Sequence, residues 1–156
     1  MTLADVAHRT DSLIMSALHA VMDPEYGTVS IVDLGIVDAV DETAERVTVQ
    51  LLPTMAGCPA REVIEHDVKA ALSRVDRRKI DVKWRLDGSW TPERLSHSAC
   101  EQLGREFSVA IRHGEALPTC PLCLTDALRE VAAVGPTRCR AVAWCSHCRN
   151  VIEIVG

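Results

Sequence analysis

The chain has 156 residues, 47% of them apolar and 25% charged, which is the balance of a soluble globular protein. Seventeen basic against twenty-two acidic residues leave a net charge of −5, which excludes a generally basic, phosphate-seeking surface. No apolar run reaches the roughly 18–20 residues of a membrane span, and Met1–Ala20 has no basic start followed by an apolar stretch. The expected compartment is therefore the cytoplasm, with the cysteines reduced.

In chain order, residues 10–21 read as an amphipathic helix with Leu13, Ile14, Ala17, Leu18 and Val21 on one face. Thr10 or Asp11 is its candidate cap, and Asp23-Pro24 stops it. Val29–Asp33 is short and β-branched. Gly35–Val40 and Arg46–Leu52 read as a hairpin around the charged turn 41–45. Pro53–Pro59 is a loop, and Ala60–Arg74 a helix with a stripe from Val63 to Val75. Arg77–Leu86 alternates Ile80, Val82, Trp84 and Leu86 with polar residues, the pattern of a half-buried strand. Thr91-Pro92-Glu93 opens a helix running to about Phe107, and 113–119 is a linker. The expected fold class is α/β: a small two-layer α-β-β-α-β domain (1–90), a helical extension and linker (91–118), and a four-cysteine, zinc-ribbon-like module (119–156).

That last module is too short to fold readily without a staple, so a metal is expected. Cys120-Pro-Leu-Cys123 and Cys145-Ser-His-Cys148 are two CxxC knuckles with 21 residues between them. Two such turns bring four thiolates to one ion, so a structural Zn²⁺ site is expected. A redox dithiol, an iron–sulfur site and a disulfide pair are the competing readings. Arg129–Val134, Arg140–Ala143 and Asn150–Val155 are candidate strands around it. Cys139 is a fifth sulfur, read as a small buried residue of the ribbon, an exchangeable ligand or a reactive thiol. His147 is expected to be exposed.

Two further residues stand out. Cys58, in Gly57-Cys58-Pro59, lies where a strand gives way to a helix. A helix N-terminus there is expected to lower its pKa and make it a nucleophile or soft ligand; the alternative is a small packed residue. Pro59 suits the first helical position, and Gly57 permits a left-handed approach. Asp33 interrupts an apolar run, as a carboxylate with a functional partner or as a turn cap.

The segments Met22-Asp23-Pro24-Glu25, Val29–Val37, Pro53-Thr54, Gly57-Cys58-Pro59-Ala60 and Trp90-Thr91-Pro92-Glu93 resemble the iron–sulfur assembly family that includes SufT and the eukaryotic cytosolic iron–sulfur targeting factor. The two knuckles with Gly135–Ala141 resemble the PaaD group, accessory subunits encoded with the phenylacetyl-CoA epoxidase, a bacterial multicomponent oxygenase. The resemblance covers about residues 10–150 and implies a non-enzymatic accessory factor that matures or inserts an iron–sulfur or other metal centre. It implies Cys58 as the cluster- or iron-transfer thiol, Asp33 as the acid of the DLG motif, and Cys120, Cys123, Cys145 and Cys148 as ribbon ligands. Cys139 matches the extra cysteine of that module. The implied cargo is a transient iron–sulfur cluster or iron; the implied partners are an oxygenase or reductase client and the iron–sulfur assembly machinery. The alternative is an interaction subunit of the oxygenase without cargo. Arg138, Arg140 and Arg149 form a small basic patch, but few aromatics are available to stack bases, so nucleic acid is not expected. An unpaired edge of the small sheet makes a homodimer an expectation.

Overall fold

The computed structural model describes residues 12–136 and 139–156. The candidate caps Thr10 and Asp11 and the basic Arg138 lie outside them. Helix α1 (12–19) buries Ile14 and Leu18 and ends before Asp23-Pro24, as the proline requires. Strands β1 (Val37–Glu42), β2 (Arg46–Leu51) and β3 (Lys79–Trp84) form one sheet in the order β1-β2-β3. The hairpin β1–β2 is antiparallel. Helix α2 (Arg61–Val75) makes the crossover that lets β3 lie parallel to β2. On β2, Val47, Val49 and Leu51 point into the core at period two, where they join Ile64, Val68 and Leu72 of α2 and the buried residues of α1. The buried stripe of α2 is narrower than the sequence suggests, because Val63 and Val75 at its two margins are exposed.

Residues 29–33 are not a strand. Ser30 makes a single bridge to Met22, and residues 31–35 turn tightly, with Leu34 N–H on Ser30 O and Gly35 N–H on Val32 O. Gly35 has φ +67, and a Cβ there would stand 2.4 Å from Cβ of Arg94. Only glycine admits both the left-handed backbone and this close approach. The segment after β3 clamps the turn: Trp90 Nε1 donates to Leu34 O (2.9 Å), Arg94 Nε to Gly35 O (2.8 Å) and Ser96 N–H to Asp33 O (2.8 Å).

The expected single helix from Thr91 is split. Pro92–Arg94 is one 3₁₀ turn, and α3 (His97–Phe107) starts afresh with Ser96 as its cap, the Ser96 Oγ accepting from Ala99 N–H at 3.1 Å. Strand β4 (Val109–Ile111) follows at once. It joins β5 (Leu128–Ala132), β6 (Ala141–Cys145) and β7 (Val151–Val155) in a second sheet of order β4-β7-β6-β5. The stretch 91–118 thus contributes a strand as well as helix and linker. β4 and β7 each have two faces: Val109 and Val155 enter the first core, while Ala110, Ile152 and Ile154 enter the core beneath the cysteine knuckles. Among the described residues no helix is long and apolar enough to cross a membrane.

Candidate metal centre and thiol loop

The two knuckles are built alike. After each CxxC the next residue takes a left-handed backbone, Leu124 at φ 58 and Arg149 at φ 61. Its N–H returns to the carbonyl of the first cysteine, Leu124 to Cys120 and Arg149 to Cys145, both at 2.9 Å. The sulfurs of Cys120, Cys123, Cys145 and Cys148 all lie within 4.8 Å of one another. Cys120 and Cys148 are 3.7 Å apart across the knuckles, and Cys123 and Cys145 3.6 Å. A tetrahedral zinc with Zn–S of about 2.3 Å separates its sulfurs by about 3.8 Å, so the group fits a four-thiolate metal. The Thr125 hydroxyl, 3.1 Å from the Cys123 sulfur, holds that thiol down at about 6. The Cys148 N–H lowers Cys145, whereas burial pushes Cys120 up to about 12. His147 is exposed, as its place in the knuckle suggests.

Cys58 is half-buried in the loop before α2. The helix cap is Ala60, so Pro59 precedes the cap rather than filling the first helical position. Gly57 is not among the residues with positive φ. Burial pushes the Cys58 thiol up, and the opposing pull of the Ala60 N–H is smaller; Cys139, Asp23 and Glu25 add to the rise. The expected depression is therefore overturned: desolvation outweighs the helix terminus, and the free thiol keeps its proton.

Cys139 is not one of the four clustered sulfurs. It lies on the β5–β6 loop and lines a cavity of about 340 Å³ together with Cys58, Glu25, Met55, Gly57, Pro59 and Pro136. A smaller cavity behind it is lined by Cys58, Cys139, Asp23 and Tyr26, among others. Asp33 lines neither cavity among the described residues; its carboxylate is 3.8 Å from His19 Nδ1.

The cavities beside Cys58 are lined in part by the Asp-Pro-Glu-Tyr turn, whose sequence marks only a helix stop and a motif. Asp23 Oδ1 accepts from the N–H groups of Glu25 (2.8 Å) and Tyr26 (3.0 Å), closing the turn. Its burial pushes the carboxyl up, partly offset by those N–H groups. Glu25 reaches Arg140 Nη2 at 2.6 Å, Arg140 also pairs with Glu153, and its guanidinium lies 4.6 Å above the Tyr26 ring. Arg140 is thereby only 10% exposed and withdrawn from the basic patch read in the sequence.

The pattern of the iron–sulfur cluster assembly protein family matches residues 11–84, and that of the PaaD zinc β-ribbon domain matches 105–156. A protein of Escherichia coli described as a putative 1,2-phenylacetyl-CoA epoxidase subunit is 30% identical over 97% of this chain and 95% of its own length. The chain belongs to the iron–sulfur cluster assembly protein family, with a PaaD-type ribbon appended. Within this family the maturation auxiliary factor YitW of Bacillus subtilis is 37% identical over 58% of this chain and 90% of its own. A DUF59 domain from Bacillus anthracis superimposes with a TM-score of 0.58 at 33% identity, covering 63% of this chain and 94% of that one. A conserved protein of Thermotoga maritima does so with 0.52 at 29% identity, covering 60% of this chain and 92% of that one. Family membership and an accessory, iron–sulfur-related role agree with the expectation from the motifs.

Proposed function

We propose that this protein is a cytoplasmic accessory factor, without catalysis of its own, for maturing or inserting an iron–sulfur centre in a multicomponent oxygenase of the phenylacetyl-CoA epoxidase type. The unit over 1–90 carries the transfer thiol, Cys58, and Asp33 holds the shape of the 31–35 turn. Residues 91–118 connect it to the ribbon, 119–156, in which Cys120, Cys123, Cys145 and Cys148 hold a structural zinc and the outer surface docks an oxygenase or reductase client. Iron or cluster is cargo here, received from the assembly machinery and passed on.

The observation that carries this reading is the likeness to the E. coli protein across both units, end to end. The geometry supports it. Cys58 is half-buried beside an open cavity and protonated when free, which suits a ligand that binds its cargo weakly enough to release it. Leu122 and Leu124 on the first knuckle and Val134 on the β5–β6 loop are exposed apolar residues available to a client.

The test is the iron and sulfide content of the client reductase purified from cells lacking this protein and complemented in turn. The parent and Cys100→Ala are expected to restore the centre, and Cys58→Ala to leave the client deficient. A client fully loaded in the presence of Cys58→Ala would overturn transfer by this thiol and leave an interaction subunit without cargo.

A further inference from the structure

The clustered thiolates account for four of the seven cysteines. Cys100 lies in α3. The remaining two, Cys58 and Cys139, are far apart in sequence and belong to different units, yet they line the same two cavities. Tyr26 lines the inner of these cavities together with both cysteines, so the three groups share one locale.

An independent observation marks this locale as a ligand site. Tyr26 is 7% exposed and lines the inner cavity, and its hydroxyl is buried with no hydrogen-bond partner among the described residues. A buried phenol normally finds an acceptor, and leaving it unmet is costly. A thiolate or sulfide held between Cys58 and Cys139 would supply one. The placement of Cys139 is also enforced: Arg140, the next residue, is tied to Glu25 and Glu153 and stacked over Tyr26, which pins the loop to the Asp-Pro-Glu-Tyr turn.

We propose that Cys58 and Cys139 together form a two-thiolate site for iron, taken as a ferrous ion or as an exposed iron of an iron–sulfur cluster, at the junction of the two units. This deepens the transfer reading of Cys58 and rests on it. Thiolate sulfur suits iron in both forms. Two protein ligands leave the other coordination positions open to sulfide or to a client thiol, as transfer requires, in contrast to the closed four-thiolate group. Binding is ligand exchange without change of oxidation state: each thiol releases its proton to solvent as its iron–sulfur bond forms. Asp23 and Glu25 also line the inner cavity, with Asp23 held by the turn and Glu25 by Arg140.

The experiment uses the full-length, zinc-loaded protein under anaerobic conditions. One arm adds ferrous ion alone and the other ferrous ion with sulfide. Iron per chain and the sulfur-to-iron charge-transfer absorption are read after desalting, and zinc content reports an intact ribbon. The parent and Cys100→Ala are expected to retain iron, and Cys58→Ala and Cys139→Ala each to lose it with zinc unchanged. If Cys139→Ala also sheds zinc, Cys139→Ser replaces it. Retention without sulfide assigns the ion, and retention only with sulfide assigns the cluster; both support the pair. Iron kept by Cys139→Ala or Cys139→Ser but lost from Cys58→Ala would overturn the pair while leaving Cys58 as a lone transfer thiol. Iron kept by both alanine variants, or absent from the parent in both arms, would overturn both readings.

Discussion

The Cys58 thiol sits two residues ahead of the α2 cap, close enough to feel the Ala60 N–H but half-buried among apolar walls and near Asp23 and Glu25. The sign follows from the balance. The thiolate is the reactive form, and a raised pKa shrinks its share at neutral pH. In zinc-loaded protein, iodoacetamide is expected to label Cys58 slowly at neutral pH, with a rate still rising at pH 9.0. Peptide-resolved mass spectrometry reads this, and a rate already level near neutrality would contradict dominant desolvation. Gly35 is the other residue with a sharp physical requirement. Gly35→Ala puts a Cβ at φ +67 against Arg94, combining left-handed strain with overpacking. The expected loss is about 2–4 kcal/mol in urea unfolding; a loss below about 0.5 kcal/mol, the range of a bland surface change, would mean that Arg94 moves aside freely.

Among the elements, the paired knuckles behave as one unit. The Thr125 hydroxyl favours the Cys123 thiolate, whereas burial favours the protonated form of Cys120. A metal bound at neutral pH must therefore displace a proton from Cys120, and affinity rises with pH, about tenfold per unit for each proton released. Chelator competition for zinc across a pH series measures this slope, and a flat profile would mean that all four sulfurs are ionised beforehand. The knuckle spacing and the period-two and helical patterns made β1, β2, α2, β3 and the metal group legible, because each is a local regularity. The helix expected from Thr91 fails for a tertiary reason: Arg94 and Ser96 are recruited to clamp the 31–35 turn, which breaks the chain at Leu95-Ser96.

At the level of the molecule, β4 and β7 form the joint. Their alternating side chains serve two cores, Val109 and Val155 on one side and Ala110, Ile152 and Ile154 on the other. Val109→Ala removes buried methyl groups at this joint and is expected to cost about 2 kcal/mol. In the zinc-loaded protein the unfolding reported by Trp84 and Trp90 in the first unit and by Trp144 in the ribbon should shift together. A shift confined to one set of tryptophans would show the units to be energetically separate.

The amino-acid pattern alone was enough for the α/β unit and the four ligand-spaced cysteines, since these are written as short-range spacings. It could not announce β4, whose three residues carry no periodicity and are a strand only because β7 offers its backbone partners. Nor could it settle which groups surround Cys58. Asp33 is close by in the sequence yet faces His19, whereas Cys139 is brought beside the Tyr26 turn by the Arg140–Glu25 ion pair, which joins the two units. Such neighbours are set by long-range charge pairing and by a shared core, and these come into being only when the chain has folded.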